Sequence, residues 1–159
     1  MMKEIKWPSL LICIAIPLVS GSLSGLAIAD NISTWYSTLN KPSFNPPNYL
    51  FGPVWSVLYI LMGIGLYLIL QTPKSAMRTK SIVLFTVQLI LNLSWSFIFF
   101  NAQSPFAALI IIGLLWIAIL MMMIYFHTLS PIASYLQIPY LLWVSFASVL
   151  NAAIWLLNK

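Results

Sequence analysis

Five apolar runs, each long enough to cross a bilayer, dominate this sequence: positions 7–29, 49–71, 81–101, 105–128 and 133–157. A hydrocarbon core of roughly 30 Å takes about 20 helical residues to span, and no aspartate, glutamate, lysine or arginine interrupts any of the five. Lipid offers backbone groups no water, so a spanning segment must satisfy its own hydrogen bonds, as a helix does. Strand alternation is absent from the pattern. The sequence therefore predicts an all-α integral membrane protein, one domain over 1–159 built as a bundle of five transmembrane helices. Composition agrees: 62% of the residues are hydrophobic and 6% charged, against about a quarter charged in soluble domains. The first run reaches about twenty residues and reads as a membrane span rather than a cleaved leader.

The scarcity of polar chemistry excludes several function classes. A net charge of +5 carried by so few residues makes no nucleic-acid patch. With one cysteine (Cys13), one histidine (His127) and two acids (Glu4, Asp30), neither a disulfide framework nor a multi-ligand metal site is expected. No cofactor is called for. Ion-coupled transporters rely on an intramembrane carboxylate or its partner, which this chain lacks. The serines have no histidine–acid pair within reach to activate them, so hydrolysis is not expected either.

The cations serve topology. Lys3, Lys6, Lys74, Arg78 and Lys80 fall on one side of the predicted bundle, and Lys41 and Lys159 on the other. The positive-inside rule then places the N-terminus in the cytoplasm and the first long loop outside. Short links at 72–80, at NAQSP and at HTLSP predict that the second to fifth helices are sequential antiparallel neighbours. The long link, 30–48, is the candidate functional loop. Within it and just after it, "KPSFNPPNYLFGPVW" (41–55) holds Pro42, Pro46, Pro47 and Pro53. Proline fixes φ and restricts the residue before it, so the stretch reads as a stiff lid that carries aromatics over the bundle mouth.

Three segments present a face with tryptophan and a neutral hydrogen-bonding group. Gln88, Asn92, Trp95 and Phe99 share one helical face, and Trp143, Ala147, Leu150, Asn151 and Ile154 share another. Trp55, Tyr59 and Met62 supply the third. Together they would line a cavity for a flat, apolar molecule with a few polar atoms. Plainer roles are weighed beside this one. Trp7, Trp35 and Trp155 suit interfacial anchoring, as does His127. Asn92 and Asn151 suit interhelical hydrogen bonding, Trp95 and Trp116 suit packing, and Cys13 reads as an inert buried thiol. Met121, Met122 and Met123 cannot share a face and read as lipid-facing. GSLSG (21–25) has the spacing that lets helices approach closely, for packing within the chain ahead of a dimer seam.

"WYSTLNKPSFNPPNYLFGPVWSVLYILMG" (35–63), "QLILNLSWSFIFF" (88–100) and "PYLLWVSFASVLNAAIWLLN" (139–158) resemble the translocator protein (TspO/MBR) family, also called tryptophan-rich sensory proteins or peripheral benzodiazepine receptors. The resemblance implies a homodimer of five-helix subunits with a ligand cavity beneath the first loop. It implies binding of porphyrins such as protoporphyrin IX and of isoquinoline or benzodiazepine drugs. In some bacterial members it implies light- and oxygen-dependent porphyrin breakdown. By motif, Trp55 and Trp143 match the tryptophans implicated in that reaction, and Tyr36, Pro47, Asn92, Trp95 and Ala147 fall where the family lines its drug cavity. Animal members carry a cholesterol-recognition pattern late in the fifth helix; VLNAAIWLLNK lacks its tyrosine, which speaks against tight cholesterol binding. The resemblance fits a bacterial member in the cell membrane. Passive porphyrin transport and stress sensing are the alternative roles.

The topology has a direct check. With Cys13 replaced by serine, Phe44→Cys is expected to react with an impermeant thiol reagent on intact cells, and Ala76→Cys only after lysis. Labelling confined to position 76 would invert the orientation.

Overall fold

The computed structural model describes residues 5–159; Lys3 and Glu4 lie outside the described residues. Seven helices follow in order: α1 (Trp7–Ser33), α2 (Trp35–Thr38), α3 (Phe51–Leu70), α4 (Ala76–Ser96), α5 (Pro105–Leu129), α6 (Pro131–Tyr135) and α7 (Ile138–Leu157). A 3-10 turn (Asn48–Leu50) leads into α3, and a π-helical turn (Phe97–Asn101) extends α4. Five of these units are long and apolar enough to cross a membrane: Trp7–Ser33, Asn48–Leu70, Ala76–Asn101, Pro105–Leu129 and Pro131–Leu157. Among the described residues there is no strand.

Local chemistry sets the ends. Ser75 Oγ accepts the Arg78 amide at 3.1 Å and opens α4 five residues before the apolar run begins. Pro8, Pro105, Pro131 and Pro139 stand in the first turns of α1, α5, α6 and α7, where a missing N–H has no intrahelical bond to lose. The loop expected over 30–48 is shorter than that. Residues 30–38 contain neither proline nor glycine, and Thr34, Ser33 and Ser37 hydroxyls bond back to the Asp30 and Ser33 carbonyls. Helix therefore runs through Ser33 and resumes in α2, and the irregular lid begins only at Leu39.

Helix order also departs from a sequential meander. The close pairs are α1 with α3, α4 with α5, and α5 with α7, and α1 returns against α4. Asn31 Nδ2 of α1 donates to Asn101 Oδ1 at the end of α4, 2.9 Å away. Between α3 and α7 the contact is made by rings, Phe51 on Trp143 at 6.0 Å and Trp55 on Tyr140 at 6.2 Å. The bundle is thus a ring in the order α1, α3, α7, α5, α4, with the α3–α4 link passing across it.

The α1–α3 seam depends on two imperfections. Pro17, inside α1, has no N–H, so the Cys13 carbonyl four residues earlier loses its usual intrahelical partner. Gly63 of α3 faces that carbonyl and the backbone of Ile14, and a Cβ there would run into both. Gly21 plays the matching part toward Tyr59 of α3, whose ring fills the space a side chain would need. Thus Gly21 of the GSLSG stretch serves packing within the chain. The methionine run is not uniformly lipid-facing: Met121 is exposed, but Met122 is fully buried because it falls in line with Leu115 and Phe126 on the inner face of α5.

Since backbone rather than a flexible side chain meets the missing Cβ, Gly63→Ala is expected to destabilise by about 1–3 kcal/mol through overpacking. Gly113→Ala, with open space around its Cβ position, is expected to be neutral or stabilising by up to about 1 kcal/mol. Thermal melts of both variants in detergent check the contrast.

Candidate functional site

Beneath α2 and the lid, the bundle encloses a cavity of about 330 Å³. The walls come from α1 (Gly21, Ser24, Gly25, Ile28), α3 (Phe51, Trp55, Tyr59), α4 and its π turn (Trp95, Phe99, Phe100) and α7 (Trp143, Ala147, Leu150, Asn151), with Tyr36 of α2 at the top. The lining contains no charged residue, and α5 supplies none of it. Pockets of drug-sized ligands begin at roughly this volume and share this mix of apolar walls and a few polar atoms.

Aromatic rings form the interior. Trp55 stacks on Tyr59 at 5.5 Å and 28°, lies 6.4 Å from Trp95, and meets the edge of Tyr140. Trp95 continues to Phe99 at 5.8 Å, and Phe99 to Tyr36 at 6.1 Å. Trp143 stands apart from this run, touching Phe51 and, at 5.5 Å, Phe146. The two tryptophans therefore differ in kind. Trp55 neighbours rings that can be oxidised, whereas phenylalanines surround Trp143.

Polar atoms around the cavity are mostly used. The Tyr59 hydroxyl donates to Asn92 Oδ1 (2.9 Å), Asn92 Nδ2 donates to the Tyr140 hydroxyl (3.1 Å), and that hydroxyl donates to Gln88 Oε1 (2.8 Å). Trp95 Nε1 donates to Asn151 Oδ1 (3.0 Å), whose Nδ2 donates to the Pro105 carbonyl (2.8 Å). At the lid, the Tyr36 hydroxyl donates to Asn45 Oδ1 (2.8 Å), and Lys41 sits 4.7 Å above the Tyr36 ring. Burial pushes the Tyr36 phenol pKa up, with the Asn45 bond opposing. Asn158, after α7, clasps Asn40 from both sides, accepting its amide and donating to its carbonyl. Two fully buried donors in the cavity wall have no partner: Ser24 Oγ and Trp143 Nε1.

The residues singled out from sequence separate into two groups. Tyr36, Trp55, Tyr59, Trp95, Trp143 and Ala147 all line the cavity. Asn92 and Pro47 do not. Asn92 is buried behind Tyr59, with both ends of its amide engaged by phenols, and Pro47 is an exposed lid residue whose carbonyl accepts the Leu50 amide. Trp116 points elsewhere, donating to Ser145 Oγ at 2.8 Å. Sequence reasoning passed over Ser24, Phe51 and Phe100. The register Gly21–Ser24–Gly25 was the available signal for Ser24, since those three fall on one helical face.

On the flank between α3 and α7 lies a second, open groove, lined by Pro53, Val54, Val57, Leu58, Pro139, Leu142, Trp143 and Phe146. Trp143 belongs to both spaces.

Because Asn92 bonds phenols from two other helices, removing it orphans buried groups as well as deleting bonds. An interhelical bond in a membrane averages only about 0.6 kcal/mol, but each buried group left unpaired adds about 1–3 kcal/mol. Asn92→Leu, similar in size, is expected to cost about 2 kcal/mol, seen as a lower melting midpoint in the absence of any ligand. An unchanged midpoint would show that the chain of bonds is not structural.

Comparison with known proteins agrees with this architecture. The TspO/MBR family model matches residues 13–156. The chain is 47% identical to the tryptophan-rich protein TspO of Chlorobaculum tepidum, over 94% of this chain and 96% of that one. It is 44% identical to the protein of the same name from Archaeoglobus fulgidus, over 89% and 96%. The human translocator protein is 39% identical over 76% of this chain and 73% of its own length.

Proposed function

The chain belongs to the TspO/MBR family of multi-pass membrane proteins, and from that premise we propose that its cavity binds protoporphyrin IX and promotes the light- and oxygen-dependent breakdown of that porphyrin. The observation that carries this reading is a charge-free cavity walled by three tryptophans, Trp55, Trp95 and Trp143. A flat macrocycle stacks on such walls, and an excited porphyrin beside an indole meets an easily oxidised ring. Trp55 and Trp143 are the proposed redox partners, and Tyr36, Tyr59 and Ala147 shape the space. Isoquinoline and benzodiazepine ligands, flat and weakly polar, suit the same walls. No metal or organic cofactor has a part in this scheme. On the same reading the protein is a homodimer in the cell membrane, with its lid outside and its N-terminus in the cytoplasm.

A second reading, passive movement of porphyrin or another lipophile between bilayer and cavity, draws support from Trp143. Its ring alone belongs to both the cavity and the α3–α7 groove on the bundle flank, and no hydrogen bond holds its indole in place.

Both readings are tested in proteoliposomes loaded with protoporphyrin IX. Trp55→Phe and Trp143→Phe keep a flat apolar ring and are expected to bind within a few fold of wild type, while the illuminated yield of product per bound porphyrin falls at least tenfold. Trp116→Phe, outside the cavity, is the control. Equal losses in all three would refute a dedicated pair. In the dark, protein-dependent porphyrin flux with no product would favour the carrier.

A further inference from the structure

Ser24 is 6% exposed, its hydroxyl has no hydrogen-bond partner, and it lines the cavity. A serine inside a helix usually turns its hydroxyl back to the carbonyl four residues earlier. Ser20 does so toward Ile16 (2.6 Å), and Ser148 toward Val144 (2.7 Å). Ser24 does not. Gly25 beside it keeps that part of the wall bare: nothing lies within 4 Å of where its Cβ would be. The polar groups of Tyr36, Tyr59, Trp95 and Asn151 in the same lining are already engaged.

Resting on the cavity reading above, we infer that Ser24 is a specificity-determining residue, whose hydroxyl donates to an uncharged oxygen acceptor on the edge of a flat ligand lying against the open surface at Gly25. Carbonyls of esters, amides and ketones qualify. A carboxylate does not, because the lining holds no cation and a buried unpaired charge is far more costly than a buried carbonyl. Carboxylates of a larger ligand would instead have to project toward the lid, where Lys41 stands.

The full-length protein in nanodiscs is titrated with two neutral porphyrins: protoporphyrin IX dimethyl ester, which bears ester carbonyls, and etioporphyrin, which bears only alkyl groups. Ser24→Ala is expected to weaken the ester about fivefold, the worth of one hydrogen bond, and etioporphyrin by less than twofold. Ser24→Thr, which keeps the hydroxyl, is expected to restore ester affinity. Without ligand, Ser24→Ala is expected to melt at or above the wild-type temperature, since it removes an unsatisfied buried hydroxyl. Equal effects on both porphyrins, no effect on either, or a lower ligand-free midpoint would overturn the assignment. If wild type binds an isoquinoline carboxamide but no porphyrin, the porphyrin reading fails and Ser24→Ala is judged on the carboxamide by the same fivefold criterion. Binding of none of these probes overturns both.

Discussion

The linked hydrogen bonds of Tyr59, Asn92, Tyr140 and Gln88 hold the bundle in register. Helices in lipid gain nothing from burying apolar surface against one another, because the lipid is as apolar as they are. What fixes the rotation of each helix about its axis is close packing and the demand that polar groups find partners. This chain of bonds joins α3, α4 and α7, and the Trp95–Asn151–Pro105 chain joins α4 and α7 to α5. With those rotations set, Trp55 has one place to go: stacked on Tyr59, with its exposed face toward the cavity.

The cavity persists because the surrounding elements cannot collapse into it. On one side α1 is held against α3 by Gly63 and Gly21, and its bare surface around Gly25 has no side chain to extend inward. Overhead, Tyr36 and Asn45 brace the lid from within, while Asn158 holds Asn40 from outside the cavity. The rings of Trp55, Trp95 and Phe99 pack on one another in tilted pairs, at 36° and 37°, and so prop each other. Trp143 stands apart from this run of rings, held by Phe51 and Phe146, and its buried indole N–H bonds to nothing.

Sequence showed the number and class of the helices because lipid imposes one period and one length on anything that crosses it. It showed most of the cavity rings as well, since tryptophan and tyrosine on a shared face have few other uses in an apolar segment. Helix order was harder. The short link after α3 suggested α4 as its chief neighbour, yet α3 touches α4 only in part and packs most closely on α1, because backbone proximity at Gly63 opposite a proline gap is a three-dimensional match that spacing does not reveal. Asn92 illustrates a second limit. An inward-facing amide can meet either a ligand or another side chain, and only the positions of Tyr59 and Tyr140 decide between them. Met122 shows a third, as a uniformly apolar helix gives no contrast by which to tell its inner face.

That uniform helix, α5, packs on α4, α6 and α7 but lines no part of the cavity. Strength and selectivity are therefore carried by separate parts of one small molecule. The four walls can exchange side chains to suit a new guest while α5 keeps the frame upright, and α5 can be altered on its outer face without the guest registering the change. A protein engineer would graft probes or anchors there, and natural drift should leave its widest range of substitutions along the same strip.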